Sequence, residues 1–404
     1  MPEVNPLCYH LSASSIQSFK ACPQRFRLAY REGLRADKDT DSQRAGTNWH
    51  AMHETYANAF NEAFGTLHRP ARLRHQIALK AVIDLLNVRY ANVPSWIDAT
   101  DWALERQVLL TSFIGYLWYW QNDPVDFLAS ELPFNLPLHE PRTGMPLSMK
   151  SVQRVGKIDH VVKWHDAVCA LERKSTTRSI APDSDYWQKS QKDTQVSMYA
   201  LAFEDMSSAG LLPPEVQGGS HFGNTLYDVW HKPTIKPTTL TQADTKAFVE
   251  GLCYMDQMFD VEAIANHEME MPHTILVNGV KVEVEHGKKG YAIKESIDMF
   301  GARLLQDIYA RPDFYFARRE IARTQADLRE FRRELFAIYS AQSAFSKGNF
   351  WFSNESACRA TFPCQYIPIC YGPGASAVCD GSTTPTGFKR LFVDLTVNGK
   401  EVEE

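Results

Sequence analysis

The segment GKIDHVVKWHDAVCALERKS, residues 156–175, places acidic and basic side chains on two short apolar stretches. Both stretches are rich in Val, Ile, Leu and Ala, and we predict an antiparallel hairpin that turns at residues 165–166. In that hairpin Asp159 lies opposite Glu172, roughly 5 Å away. Lys174 shares a face with Glu172, because strand residues two apart point the same way. The hairpin therefore gathers two carboxylates and an ammonium group.

Two facing carboxylates repel one another unless water, a proton or a cation lies between them. A hard divalent cation binds such oxygen ligands well, and a neighbouring lysine can hold a water molecule or a negative oxygen beside it. This layout suits metal-assisted attack on a phosphodiester. The spacing alone leaves a second interpretation open, in which the hairpin has one wet face with surface ion pairs.

Composition indicates an ordinary soluble globular protein. The chain has 404 residues, 44 % hydrophobic and 23 % charged, with a net charge of −5. It lacks a run of about eighteen apolar residues, which argues against a membrane span. Its first residues do not resemble a secretory signal, so we expect a cytoplasmic protein. Net charge does not indicate nucleic-acid binding, although basic residues crowd positions 20–35 and 311–333, where they could face phosphates or solvent.

Hydrophobic periodicity predicts an α/β protein. Helical spacing covers residues 11–30, with a break at Pro23, and almost all of residues 46–130. We expect strands at 130–138, 148–162, 221–233 and 314–321, helices at 193–206, 241–265, 294–310 and 324–343, and a small hairpin at 275–285. The predicted divisions are an N-terminal helical segment (1–54), a helical insertion (55–130), a core (131–235), its helical and hairpin continuation (236–350), a cysteine-rich segment (351–379) and a loosely attached tail (380–404).

Four short motifs occur in one order along the chain. They are Gly46-Thr47-Asn48-Trp49-His50, Gly156-Lys157-Ile158-Asp159, Glu172-Arg173-Lys174 and Gln195-Val196-Ser197-Met198-Tyr199. Together they resemble the PD-(D/E)XK nucleases of the RecB-like type, whose G-x-(I/V)-D strand, E-x-K strand and Q-x-x-x-Y helix they match. The resemblance covers about residues 11–375. It implies a mixed central β-sheet flanked by helices, a restriction-endonuclease-like core, with a helical insertion.

The resemblance also implies roles for individual residues. Asp159, Glu172 and the backbone carbonyl of Arg173 would bind Mg²⁺ or Mn²⁺, with His50 as a further ligand. Lys174 would orient and activate the attacking water.

Gln195 and Tyr199, four apart on one helix face, would contact the substrate backbone and buttress the site. Two alternatives remain open from the residues themselves: His50 as a packed helix histidine, and Tyr199 as an ordinary core residue.

The eight cysteines are unevenly distributed. Cys358, Cys364 and Cys370 lie within thirteen residues, a bunching typical of metal binding. With Cys22 they resemble the cysteines that bind a [4Fe–4S] cluster in AddB-type and CRISPR-adaptation-type nucleases, which implies an iron–sulfur clasp between the chain ends. Zn²⁺ is the alternative metal.

Two further cysteines, Cys8 and Cys379, could replace Cys22 as the fourth ligand. Cys169 and Cys253 are expected to be buried small hydrophobes.

The resemblance implies a divalent-metal-dependent DNA exonuclease that acts on single strands or duplex ends in recombination, repair or phage or CRISPR DNA processing. Its partners would be DNA and a helicase or recombination protein, and no membrane. Two rival interpretations are a non-catalytic DNA-binding iron–sulfur subunit of a helicase–nuclease complex and a structural iron–sulfur or zinc protein. The sequence has no phosphate-binding G-x-x-x-x-G-K-(S/T) motif, so we expect no ATP-driven motor in this chain.

Overall fold

The computed structural model describes residues 9–67, 70–123, 125–165, 167–217, 224–265, 272–287, 290–360, 363–372, 383–394 and 400–403. Cys8, Asp166 and Cys379, to which the sequence predictions refer, lie outside these residues. None of the described helices is long and apolar enough to cross a membrane.

A mixed six-stranded sheet forms the centre of the fold, as predicted. Its strands are β1 (Tyr9–Leu11), β3 (Val125–Pro137), β4 (Val152–Trp164), β5 (Ala167–Thr176), β6 (Thr225–His231) and β14 (Phe316–Ile321). β1 pairs with β4 and β5 with β6 in parallel, whereas the pairs β3–β4, β4–β5 and β6–β14 are antiparallel. Among the described strands β3 pairs only with β4, which agrees with the edge position that its prolines favour.

One edge of β4 is shared by two strands. β3 pairs along residues 153–164, so the other edge must accommodate both β1, at residues 152–154, and β5, at residues 160–164. Between those two ladders none of the described strands pairs with β4 on that side. Asp159 is the first residue beyond the β5 ladder, at the point where the strands diverge.

Helices cover both faces of the sheet. They are α1 (Ala13–Ala21), α2 (Pro23–Phe26), a π-helical turn (Arg27–Arg31), α3 (Asp41–Leu67), α4 (Ala71–Arg89), α5 (Ala99–Tyr119), α6 (Asp185–Ser190), α7 (Thr194–Ser208), α8 (Pro214–Gln217), α9 (Gln242–Gly251), α10 (Ile297–Ala310), α11 (Pro312–Tyr315), α12 (Gln325–Gly348), α13 (Glu355–Cys358) and α14 (Ile367–Cys370).

Two successive residues of β6 show which helices cover each face of the sheet. Val229 packs against Trp187 of α6 and Val196 of α7, whereas Trp230 stacks on Trp49 of α3 with ring centroids 4.2 Å apart. Because successive strand residues point to opposite faces, α6 and α7 cover one face and α3 the other.

For two helical regions the predicted C-terminal end is wrong. Residues 125–130 belong to β3, and the helix expected over 241–265 ends at Gly251, where Leu252 adopts a left-handed φ of 57°. A small β unit follows around Phe248, made of β7 (Cys253–Tyr254), β8 (Gln257–Met258), β9 (Val261–Ala265), β10 (Pro272–Val277), β11 (Val280–Val282), β12 (Val284–His286) and β13 (Tyr291–Ile293). The predicted small hairpin is confirmed as β10 and β11.

The described part of the C-terminal tail is not loosely attached. β15 (Phe388–Asp394) pairs with β2 (Leu34–Ala36) and with β16 (Lys400–Glu403), both antiparallel. Cys253 also differs from its prediction: it lies in β7 and is exposed, whereas Cys169 is buried as expected.

Candidate active site

The hairpin of β4 and β5 has the predicted register. Trp164 pairs with Ala167 and the ladder ends at His160 and Leu171. Asp159 and Glu172 are therefore the next residues on the two strands, opposite one another where the ladder stops. His165, at the turn, has a left-handed φ of 51°.

Asp159 faces a histidine from α3. His50 Nδ1 lies 3.2 Å from Asp159 Oδ2, and the histidine side chain is 42 % exposed, so its ring is open to solvent. Burial of Asp159 favours the neutral carboxyl, but the close contact with His50 and the charge of Lys174 hold its pKa below the ordinary value. The packed-histidine interpretation instead describes His53, which is buried and packs edge-on against Trp49.

Glu172 is almost fully buried, with an exposure of 1 %. Burial raises the pKa of its carboxyl to about 7, against the opposing charge of Lys174. Lys174 Nζ lies 2.5 Å from Glu172 Oε1. Burial alone would lower the pKa of Lys174, but the Glu172 carboxylate raises it above the ordinary value. Among the described residues, Glu172 Oε2 has no hydrogen-bond partner, which leaves one oxygen available to a cation.

A chain of hydrogen bonds fixes the lysine from α7. Lys174 Nζ donates to Gln195 Oε1 (2.6 Å), Gln195 Nε2 donates to the Tyr199 hydroxyl (2.7 Å), and that hydroxyl donates to the Lys157 carbonyl (2.8 Å). The Gln195 amide thus has partners at both its oxygen and its nitrogen inside the protein. These contacts favour the buttressing part of the predicted role over contact with substrate.

Asp193 was not singled out in the sequence. Its side chain caps α7, accepting from the backbone N–H of Gln195 (2.7 Å) and of Val196 (3.4 Å). An aspartate directly before an apolar helical pattern is the usual N-cap signal, so the sequence contained a clue. The cap orients the first turn of the helix that supplies Gln195.

These residues form one site from four elements. α3 supplies His50, β4 supplies Asp159, β5 supplies Glu172 and Lys174, and α7 supplies Gln195 and Tyr199. A protein-family model of the PD-(D/E)XK nuclease superfamily matches residues 10–371. The chain belongs to the PD-(D/E)XK nuclease superfamily. A search of curated proteins found no match.

Membership in the PD-(D/E)XK nuclease superfamily supports a metal-dependent nuclease, and its members typically use Mg²⁺ or Mn²⁺. The donor set fits such an ion, since Asp159 and Glu172 offer carboxylate oxygens, and among the described residues Asp159 Oδ2 and Glu172 Oε2 have no hydrogen-bond partner. As placed, no three His, Cys, Asp or Glu side chains of the described ranges form a complete metal-binding group. Lys174, close against Glu172, would have to share that carboxylate with the ion.

A buried ionic cluster lies behind the site of this PD-(D/E)XK nuclease. Arg173 points to the face opposite Glu172 and Lys174, where its Nε is 4.0 Å from Asp228 Oδ2. Asp228 also binds Arg318 (3.0 Å) and accepts a hydrogen bond from Tyr116 of α5. Sequence reasoning missed this cluster, because its members are far apart in the chain.

The chain ends meet at the cysteines. Cys22, buried at the N-cap of α2, accepts from the backbone N–H of Arg25 (3.5 Å) and of Asn354 (3.4 Å). Cys358 Sγ lies 3.7 Å from the Asn354 carbonyl, so Asn354 links Cys22 and Cys358.

The other two predicted ligands are near the same end of the chain. Cys364 N–H donates to the Cys358 carbonyl (2.8 Å). Cys364 and Cys370 pack against a buried cluster that includes Leu28 and Leu34. As placed, the four thiols do not form a metal-binding group among the described residues.

Proposed function

We propose that the protein is a divalent-metal-dependent DNA exonuclease of the RecB-like PD-(D/E)XK type, acting on single strands or duplex ends. The observation that supports this most is the grouping of Asp159, Glu172 and Lys174 beside His50, where β4 and β5 diverge. This grouping opposes the surface-ion-pair interpretation, because Glu172 is buried with one oxygen unpaired.

In the proposed reaction Asp159 and Glu172 would hold the metal, with His50 and the Arg173 carbonyl as further ligands. A bound divalent ion supplies Lewis acidity toward the phosphodiester and lowers the pKa of a water molecule. Lys174 orients the attacking water and stabilises negative charge that develops on the phosphate. The ammonium group suits this role because Glu172 keeps its pKa high, so it remains charged at neutral pH.

Gln195 and Tyr199 act through Lys174. The Gln195 oxygen holds the ammonium group at 2.6 Å, and Tyr199 fixes the amide by accepting from its nitrogen. Lys174 would otherwise sample several rotamers of its long side chain. The two residues therefore keep the ammonium in one orientation before substrate arrives, which reduces the reorganisation needed during reaction.

Replacing Lys174 with Ala tests the catalytic proposal. We expect a rate loss of about 10²–10⁴-fold in Mg²⁺-dependent cleavage of labelled DNA. The circular dichroism spectrum and the affinity for DNA should be unchanged. Lys163→Ala is the matched control, because Lys163 is exposed on β4 of the same hairpin. Undiminished cleavage by Lys174→Ala would reject the mechanism, and DNA binding without cleavage by the wild-type protein would favour the non-catalytic subunit.

The requirement for a strand end can be tested directly. An exonuclease degrades linear single-stranded DNA and leaves the closed circle of the same sequence intact, whereas cleavage of the circle would identify an endonuclease. Oligonucleotides labelled at either end then give the polarity. We place the activity in recombination, repair or phage or CRISPR DNA processing, with a helicase or recombination protein as partner, on the basis of the RecB-like resemblance.

We also propose that Cys22, Cys358, Cys364 and Cys370 bind a [4Fe–4S] cluster. Support comes from the contacts through Asn354 and from the two N–H groups directed at Cys22 Sγ. Anaerobically purified protein should be brown, absorb at about 400 nm and contain about four irons.

Cys22→Ser should lose the colour and lower the melting temperature, because metal-ligand free energy contributes to folding. Cys253→Ser, at an exposed cysteine outside the segment, is the control. Colourless protein with one equivalent of zinc would overturn the cluster in favour of zinc.

A further inference from the structure

A polar cavity of ≈ 610 Å³ lies between α1, β2, the start of α3 and the cysteine segment. Its volume is within the range of about 300–1,000 Å³ found for ligand sites. Four cationic and two anionic side chains line it: Arg25, Arg35, Lys38, Lys389, Asp37 and Asp39. The excess of positive charge favours an anionic ligand.

Two cations of this cavity are well suited to hold phosphate groups. Arg25 and Lys38 are exposed, and neither forms an ion pair within the described ranges of the chain. Lys38 lies 5.5 Å from the ring centre of Trp96, which is 51 % exposed. A cation beside an exposed aromatic ring is a combination that binds a single nucleic-acid strand, through its phosphates and its bases.

One wall of the cavity leads to the active site along α3. Gln43 lines the cavity in the first turn of that helix. Gln43 and His50 are seven residues apart, which is about two turns and about 10 Å along one helix face. The cavity and His50 therefore lie on the same side of α3.

The opposite wall leads to the active site through α1. Ser14, Gln17 and Ser18 line the cavity, and Lys20 of the same helix donates to the Thr194 hydroxyl at 3.2 Å. Thr194 directly precedes Gln195, which holds Lys174. One wall thus leads to His50 and the other to Gln195, which positions Lys174.

The remaining lining can recognise unpaired bases. Gln17, Gln43 and Gln365 bring amide groups, which hydrogen-bond base edges. Watson–Crick edges are free in a single strand and paired in a duplex. The chemistry of the lining therefore favours a single strand.

We propose that this cavity, the α1–α3 groove, binds the single-stranded DNA adjacent to the scissile phosphate. The proposal rests on the proposed nuclease function, because the groove would deliver the strand to the site at His50 and Lys174. It goes beyond that function by assigning a separate binding surface, which controls affinity for the strand and leaves the bond cleavage to the active site.

Binding should be measured in the Lys174→Ala background without metal, so that the result does not depend on cleavage. The probe is a fluorescein-labelled single-stranded oligonucleotide of mixed sequence, titrated at several salt concentrations. With a slope of about −0.7 per contacted phosphate, Arg25→Ala/Lys38→Ala should reduce the salt slope by about 1.4 and weaken binding about 25-fold at 0.1 M salt. The melting temperature and circular dichroism are recorded for every variant.

Two matched variants distinguish the effect of the groove cations from the effect of losing positive charge elsewhere on the surface. Lys80→Ala/Lys246→Ala removes two cations that are each 74 % exposed and do not line the groove, and should not change affinity. Arg25→Lys/Lys38→Arg keeps both charges and should restore most of the binding, even if Arg25→Ala disturbs local packing. A salt slope that does not change in the double alanine variant would overturn the proposal that the groove binds DNA.

A second measurement tests the strand type. Unlabelled single strand should displace the probe far better than blunt duplex of the same sequence, and equal displacement by both would also overturn the proposal. Failure of the nuclease itself would be recognised separately, as cleavage that survives Lys174→Ala. In the complete enzyme, Arg25→Ala/Lys38→Ala should raise KM for single-stranded DNA more than it lowers kcat.

Discussion

The hydroxyl of Tyr199 joins two hydrogen bonds that hold the active site, and its removal gives a quantitative test. Tyr199→Phe keeps the aromatic ring, which is buried among the core residues of α7, β3 and β4. It deletes the acceptor for Gln195 Nε2 and the donor to the Lys157 carbonyl. The change therefore tests the hydrogen bonds separately from packing.

Leaving a buried polar group without its partner costs about 1–3 kcal/mol. Gln195 and Lys157 are partly exposed, so water can replace part of each lost bond. We therefore expect the free energy of unfolding to fall by about 1–3 kcal/mol in total, within the range for one fully buried group. Urea unfolding of metal-free protein measures this value. Tyr309→Phe is the control, because Tyr309 is 37 % exposed and its hydroxyl has no hydrogen bond in the described part of the chain.

The same change should slow the reaction. Without the Tyr199 hydroxyl, the Gln195 amide can rotate and Lys174 loses a fixed partner. A displacement of about 1 Å in a catalytic group can cost about 10²-fold, so kcat should fall by about ten- to a hundredfold while KM for DNA changes little. A Tyr199→Phe enzyme with unchanged stability and unchanged kcat would refute the proposed role of the hydrogen-bond chain.

Three further perturbations test the charges around the site. In metal-free protein, Glu172→Gln should gain about 3 kcal/mol of stability relative to wild type as the pH rises from 4.5 through 7. Burial raises the pKa of Glu172 from 4.5 to about 7, so ionisation of this carboxyl destabilises the wild type and has no counterpart in the variant. Urea unfolding at pH 4.5 and 8 measures the difference, and equal pH profiles of the two proteins would contradict the prediction. Mg²⁺ or Mn²⁺ at about 100 times its Kd should stabilise the wild type by about 2.7 kcal/mol and should not stabilise Asp159→Asn. Thermal melting with and without the ion measures this, and equal stabilisation of both proteins would mean that the ion binds elsewhere. Asp228→Asn should lower the free energy of unfolding by about 3–5 kcal/mol, because Arg173 would keep a buried charge without its carboxylate and Arg318 would keep only the carboxylate of Asp123. A loss below 1 kcal/mol, measured by urea unfolding, would show that the cluster contributes little.

The hairpin could be predicted because its register depends on local chemistry. The alternation of apolar and charged residues and a polar turn at residues 165–166 fix which residues face one another. Asp159 and Glu172 consequently lie opposite one another as predicted. The strands β7, β8 and β9, which follow Gly251, were missed, because an apolar stretch of helical length has no local feature that excludes a helix.

Contacts between distant segments could not be predicted from the sequence. Arg173, Asp228 and Arg318 belong to three strands whose order in the sheet is not written in any local pattern. The carboxylates that bind Arg318 come from β6, at Asp228, and from the end of the helical insertion, at Asp123. A buried arginine has no sequence signal of its own, since most arginines are exposed.

The fold separates the proposed chemistry from the proposed strand binding. Asp159 and Glu172 lie on adjacent strands of the central sheet, where backbone register sets their positions. The groove instead depends on the chain ends: Cys22 caps the helix of Arg25, and Tyr366 donates its hydroxyl to the Leu34 carbonyl of β2 at 2.8 Å.

A metal clasp at the cysteines would therefore stabilise the groove wall more than the catalytic residues. Cys22 precedes Arg25 by three residues, and Cys364 directly precedes Gln365, so two proposed ligands adjoin two lining residues. Glu172 and Lys174 belong to β5, whose neighbours are β4 and β6. Losing the clasp should then reduce affinity for the DNA strand while the carboxylates keep their spacing, because the sheet holds them independently of the chain ends.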